Sequence, residues 1–269
     1  MLRSLKKLER YKVSATDGDL GSVVNFLVED ERWTVRYLVV DTGGIFGGRK
    51  VLISPISFRN VDYSAQRFNL ALTMDKIKNS PSVDLERPVS RQHERDYYGY
   101  YGYPYYWGYG GSWGMGYYPG AMATAAVDYD RARAGERPGE PASDVHLRSA
   151  KEVTGYHIEG TDGSIGHIED FVVDDESWAI RYMVVDTSNW WVGKSVLVAP
   201  EWASRVSWLD RKVYVDMTRD AIKKSPEWGV NDPVDRAFEE RLYRHYGRMP
   251  LRRKSDSSPR STPAGRMAP

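Results

Sequence analysis

The chain has 269 residues, 41% hydrophobic and 28% charged, with a formal net charge of +1 and no cysteine. That balance is ordinary for a globular protein of one or two domains and commits it by charge to neither nucleic acid nor an anionic membrane. The lack of cysteine excludes disulfides, thiol nucleophiles and thiolate metal sites. A membrane-spanning helix needs about 20 mostly apolar residues, whereas apolar runs such as Tyr37-Leu38-Val39-Val40 are only strand-length. No apolar leader opens the chain, so the expected location is cytoplasmic.

In chain order, Thr16-Asp17-Gly18-Asp19 reads as a turn. A β run over Ser22–Val28 follows, then the polar turn Glu29-Asp30-Glu31 and a second run from Trp33 to Asp41, together a hairpin. Gly43–Gly48 is a glycine-rich connection to a strand at Lys50–Ile53, which Pro55 ends. Phe68, Leu70 and Leu72 alternate as in a half-buried strand. Thr73 then caps a short helix with Asp75 in its first turn, and Ser80-Pro81 stops it.

The same series returns 145 residues later. Thr161-Asp162-Gly163, Glu176, Trp178, Arg181-Tyr182, Val184-Val185-Asp186-Thr187, Val196-Leu197, Pro200, Val213/Val215/Met217, Thr218, Asp220 and Ser225-Pro226 repeat the first set, and Leu147-Arg148-Ser149 repeats Leu2-Arg3-Ser4. About thirty of roughly eighty aligned positions are identical without a gap, which marks a duplicated domain, since solenoid repeats run about 20–50 residues. The expected units are residues 2–83 and 147–228. Each is a small, mainly β barrel of about five strands with a short C-terminal helix and a core rich in the paired aromatics Trp33/Trp178, Tyr37/Tyr182 and Phe26/Phe171.

Thr-Asp-Gly-x-Leu/Ile-Gly, the acidic turn, Trp-x-x-Arg-Tyr-x-Val-Val-Asp-Thr, a Gly/Trp-containing loop and Val-Leu-Ile/Val-x-Pro make both units resemble PRC-barrel domains. That family includes a domain of the photosynthetic reaction centre H subunit and one of the ribosome maturation factor RimM. The resemblance implies a small β-barrel that docks onto a larger assembly, and it implies no catalytic residues.

Each chemical candidate has a plainer account. Gly43–Gly48 lacks the Lys-Ser/Thr ending of a phosphate loop and reads as a hairpin connection. The shared acids Asp17/Asp162, Asp41/Asp186 and Glu31/Glu176 suit turn capping better than acid–base chemistry. His93, His146, His157, His167 and His245 show no metal-ligand spacing. No catalytic, cofactor or metal site is expected. Trp190-Trp191 aligns with Ile45-Phe46 of the first unit; a ring there that both copies do not need for the core would be exposed. Trp190, Trp191 and Phe46 are therefore the candidate partner-contact residues.

Residues 84–145 read as a low-complexity linker. Its Tyr97–Tyr118 stretch shows neither helical nor strand period, and it serves as a loose tether, as a weakly self-associating segment or as a base-stacking one. Residues 229–269 form a basic tail, with room for a short helix over Phe238–Tyr246 before a Ser/Pro-rich end. It suits RNA or an anionic membrane surface, and equally a solvated end. The preferred function is a non-catalytic adaptor that docks onto a protein or ribonucleoprotein assembly. The alternatives are an RNA- or ribosome-associated maturation factor and a peripheral component of a photosynthetic or other membrane complex.

Overall fold

The computed structural model describes residues 1–44, 47–82, 89–107, 111–114, 116–123, 147–187 and 194–249. The first copy contributes β1 (Leu2–Ser4), α1 (Leu5–Leu8), β2 (Lys12–Ala15), β3 (Gly18–Glu29), β4 (Thr34–Asp41), β5 (Lys50–Ile53), a 3-10 turn (Pro55–Ser57), β6 (Phe58–Asp62), β7 (Arg67–Leu70) and α2 (Met74–Lys78). α3 (Arg91–Tyr101) and α4 (Pro119–Ala123) follow. The second copy contributes β8 (Leu147–Ser149), α5 (Ala150–Val153), β9 (His157–Gly160), β10 (Gly163–Asp174), β11 (Ile180–Asp186), β12 (Ser195–Val198), a 3-10 turn (Pro200–Trp202), β13 (Ala203–Ser207), β14 (Lys212–Val215), α6 (Arg219–Lys223) and α7 (Arg236–His245). Among the described residues no helix is long and apolar enough to cross a membrane.

The protein is mainly β, with two seven-stranded sheets of the same order. One runs β5-β4-β3-β2-β7-β6 and the other β12-β11-β10-β9-β14-β13. The alternation read at Phe68/Leu70 and Val213/Val215 holds, with all four side chains buried. Thr73 and Thr218 cap their helices by accepting from the amides of Lys76 and Ala221. Each long strand carries a glycine pressed against its neighbour. A Cβ at Gly21 or Gly166 would sit 2.0 Å from the carbonyl oxygen of Asp41 or Asp186, so no other residue fits either position.

The two copies exchange strands instead of forming separate sheets. Among the described residues no pairing joins β5 to β6 or β12 to β13, so neither sheet closes by hydrogen bonds. The seventh strand of each sheet comes from the other copy. β1 pairs antiparallel with β10 (Leu2 opposite Asp174), and β8 pairs with β3 (Leu147 opposite Glu29). Ladder groups along the second halves of β3 and β10, which β2 and β9 do not reach, are thus satisfied by exchange.

The exchanged strands are locked by matched polar contacts. Ser4 caps α1 and donates to Asp170, which also accepts from the amide of Lys6 at 3.1 Å. Asn25, the counterpart of Asp170, donates to Ser149 at 2.8 Å and accepts from the amide of Lys151 at 3.3 Å. Burial holds the Asp170 carboxyl above its ordinary range.

Tryptophan is exchanged too. Trp33 and Trp178 precede β4 and β11 with φ of 49° and 59°, a left-handed conformation that costs a non-glycine residue roughly 1–2 kcal/mol. That geometry lets the two copies join: the amide of Val35 donates to the carbonyl of Trp178 at 2.8 Å, and the amide of Ile180 donates to that of Trp33 at 2.7 Å. It also sends each ring across. Trp178 packs against Phe58 (5.2 Å between centroids) and Phe68 (6.0 Å) of the first copy. Trp33 packs against Phe171 and Trp208 of the second, each at 6.3 Å. The aromatics expected in the core are there, but this pair serves the opposite copy.

Candidate functional site

Three of the shared acids accept backbone amides. Asp17 accepts from the amide of Met74 at 2.8 Å and Asp162 from that of Arg219 at 2.7 Å, tying each N-terminal turn to a helix start. Asp41 accepts from the amide of Gly43 at 2.9 Å. Among the described residues, no three His, Cys, Asp or Glu side chains gather as a metal site. Phe46, Trp190 and Trp191 lie outside the described residues.

Part of the expected linker is built structure. α3 spans Arg91–Tyr101, with Ser90 capping it through the amide of His93. Its buried face carries Glu94, Tyr97, Tyr98 and Tyr101. Tyr97 donates to the carbonyl of Leu52 at 3.2 Å and accepts from the amide of Ser54 at 3.1 Å, which fixes α3 on the first sheet. The tyrosines pack as a cluster, with Tyr37 edge-on to Tyr97 at 5.0 Å and Tyr101 stacked on Tyr103 at 5.4 Å. α7 is the counterpart in the second copy: Asp235 caps it, and Glu239, Leu242 and Tyr243 are on its buried face.

The repeat offset carries through these helices, pairing Val89 with Val234, Arg91 with Arg236, Glu94 with Glu239, Tyr98 with Tyr243, Tyr101 with Tyr246 and Gly102 with Gly247. The second unit therefore runs beyond residue 228, and the first beyond residue 83. Extending the self-alignment past Ser80-Pro81 would have revealed this; the tyrosine and glycine content hid it.

After α3 the copies diverge. In the first, the aromatic stretch folds back over the sheet. Glycine permits a tight turn, in which the amide of Gly111 donates to Gly114 at 2.9 Å and that of Trp113 to Gly116 at 2.9 Å. A Cβ on Gly111 would lie 2.5 Å from the Gly116 carbonyl oxygen. The turn drives Trp113 inward until it is 0% exposed, and its indole N–H donates to the carbonyl of Ser177 at 2.7 Å. α4 packs on the 3-10 turn at Pro55–Ser57.

Beneath this cover lies a buried charged group. The Arg36 guanidinium is 3.1 Å from Glu29, donates to the carbonyl of Ser112 and lies 3.7 Å from the centre of the Tyr106 ring and 4.7 Å from that of Trp113. Tyr106 donates to Glu94 at 2.8 Å, and Arg91 bridges Glu94 and Tyr106 at 2.8 and 2.9 Å. Two carboxylates and two guanidiniums balance here. Burial still holds Glu94 above its ordinary range, against the pull of Arg91 and the hydrogen bond from Tyr106.

In the second copy the same position is open among the described residues. A groove of about 430 Å3 runs along Arg181, Ala199, Pro200, Glu201, Ala203 and Arg205, with Arg32 and Trp33 of the first copy at its other wall. Arg181 is the counterpart of Arg36, and it is half-buried where Arg36 is fully buried. Ala199 and Ala203 stand where the first copy has Ser54 and Phe58, so the floor is shallower in side chain and wider. Asp174 replaces Glu29, is one methylene shorter, and accepts from the turn amides of Glu176 and Ser177 at 2.9 and 3.1 Å. Beside the groove, Glu239 accepts from Tyr182 at 2.8 Å and Glu201 from Tyr243 at 3.2 Å.

No family model matches the chain. A stretch of 77 residues is 41% identical to an uncharacterized protein of Deinococcus radiodurans, covering 28% of this chain and 27% of that protein. The chain thus matches about a quarter of that relative's length.

Proposed function

We propose that the chain is a non-catalytic docking protein, built from two PRC-barrel-like units that share strands and act as one body, and that it works in the cytoplasm. The observation that carries this reading is the unequal cover of equivalent positions: filled by the chain's own aromatic stretch in the first copy, open among the described residues in the second. The open groove has the features of an interaction site. Its volume falls in the usual range of about 300–1,000 Å3 for binding clefts, and it presents arginine and tryptophan, side chains enriched among interface anchors. Asp17, Asp162 and Asp41, three of the acids shared by both copies, accept backbone amides at turns and helix starts, and none of them lines the groove.

The test is affinity capture from the native cell extract with the tagged full chain, with and without RNase, beside Arg181→Ala and Ser204→Trp forms. A defined set of proteins retained by the unaltered chain after RNase and lost from both variants is the expected result. Retention indifferent to both variants, or capture only through RNA, would remove this reading.

A further inference from the structure

The first copy shows what its own groove position accepts, and the second copy keeps much of the receiving frame. We infer that the open groove takes an aromatic- and glycine-rich peptide segment of a partner protein, with one ring laid on the Arg181 guanidinium. This inference rests on the docking role proposed above and names the chemistry of the occupant.

Three contacts anchor the filled position. Arg36 lies under the Tyr106 ring at 3.7 Å, a cation–π arrangement that guanidinium favours because it is planar and weakly hydrated. The Trp113 indole donates to the carbonyl of Ser177, in the turn contributed by the opposite copy. α4 rests on the 3-10 turn at Pro55–Ser57. Each receiving element has a counterpart in the open groove. Arg181 answers Arg36, Arg32 of the opposite copy's turn answers Ser177, and the 3-10 turn at Pro200–Trp202 answers Pro55–Ser57. Half-buried Arg181 is ready for a ring. Ala203 in place of Phe58 leaves space for an aromatic side chain that the first copy supplies from its own strand.

Neither the C-terminal stretch nor a second copy's aromatic stretch is a good source of that occupant. The residues after α7 contain no Tyr, Trp or Phe beyond Tyr246, so the C-terminal stretch lacks the chemistry. A second copy would have to withdraw its own stretch, in which Trp113 is 0% and Tyr106 2% exposed. That would strip cover from the buried Arg36–Glu29 pair, a costly exchange. A partner with an unengaged segment of the same kind pays no such penalty.

The probe is a fluorescent peptide with the sequence of residues 103–123, titrated onto the full chain and followed by anisotropy. Saturable binding of one peptide per chain is expected. Arg181→Ala in the protein should weaken it at least tenfold, as should Tyr106→Ala with Trp113→Ala in the peptide. Arg181 is half-exposed, so the variant should fold, and an unchanged circular dichroism spectrum checks this. No binding, or binding indifferent to Arg181→Ala, would overturn the inference. If the peptide fails while Arg181→Ala still abolishes partner capture, the docking role stands and only the aromatic occupant falls. Sedimentation of the full chain provides the remaining arm: a monomer at all concentrations fits a separate partner, and a dimer abolished by Arg181→Ala would make the occupant a second copy and overturn the inference.

Discussion

The two copies share one fold but differ in how their arginines are housed. Arg36 is sealed under Tyr106 and Trp113 and tied to Glu29, whereas Arg181 faces a groove. Between the two sequences the difference at the paired carboxylate is one methylene, Glu29 against Asp174. The longer acid reaches its arginine while also serving the turn amides of Glu31 and Arg32; the shorter one serves only the turn in the contacts described above. Both copies keep the frame, and the first covers this position with its own aromatic stretch.

The comparison is broken most severely at the exchanged tryptophans. Trp178 is 2% exposed and packed among first-copy rings, whereas Trp33 is only partly buried. Trp178→Ala should cost about 3–5 kcal/mol, and Trp33→Ala clearly less. Urea unfolding followed by circular dichroism checks the order. Equal losses would mean that the two exchanges are energetically alike, despite their unequal burial.

Next in size are the arginines themselves. Arg36→Ala leaves Glu29 buried without its cation and should destabilise the chain by about 3 kcal/mol. Arg181→Ala, at a half-exposed site, should fall within about 0.5 kcal/mol of the unaltered chain. Thermal unfolding of the two variants side by side measures the gap, and a gap near zero would contradict the sealed-against-open distinction.

The smallest effect is one of pH. Burial raises Glu94, so its ionisation in the folded protein is disfavoured. The cost is present in full above the raised folded value, and it is relieved as pH falls through that value towards the ordinary carboxylate range. The stability of the unaltered chain relative to Glu94→Gln should therefore rise on acidification through that window. Unfolding free energies of both proteins measured across the mildly acidic range decide the sign; a difference that falls on acidification would show that the two arginines outweigh burial.

Much of the fold was legible from the residues. Strand runs, helix caps at Thr73 and Thr218, and turn roles for Asp17 and Asp162 are local decisions, set by side-chain alternation and by which oxygen can reach an exposed amide. α3 was less legible, because tyrosines and a glycine mask the spacing of Glu94, Tyr97, Tyr98 and Tyr101 along one face. The groove was not legible at all: among the described residues it is defined by what lies over Arg36 and does not lie over Arg181, and cover depends on residues distant in the chain.

The sequence by itself determined that there are two copies, mainly β, with these turns and caps. Which copy each edge strand joins was decided only in three dimensions. Leu2-Arg3-Ser4 and Leu147-Arg148-Ser149 are identical, and each could satisfy either β3 or β10 with the same backbone hydrogen bonds. Local chemistry is therefore degenerate between pairing within a copy and pairing across. The left-handed turns at Trp33 and Trp178, which hydrogen-bond across the copies and send each ring into the opposite core, are part of the arrangement in which the crossed pairing is adopted.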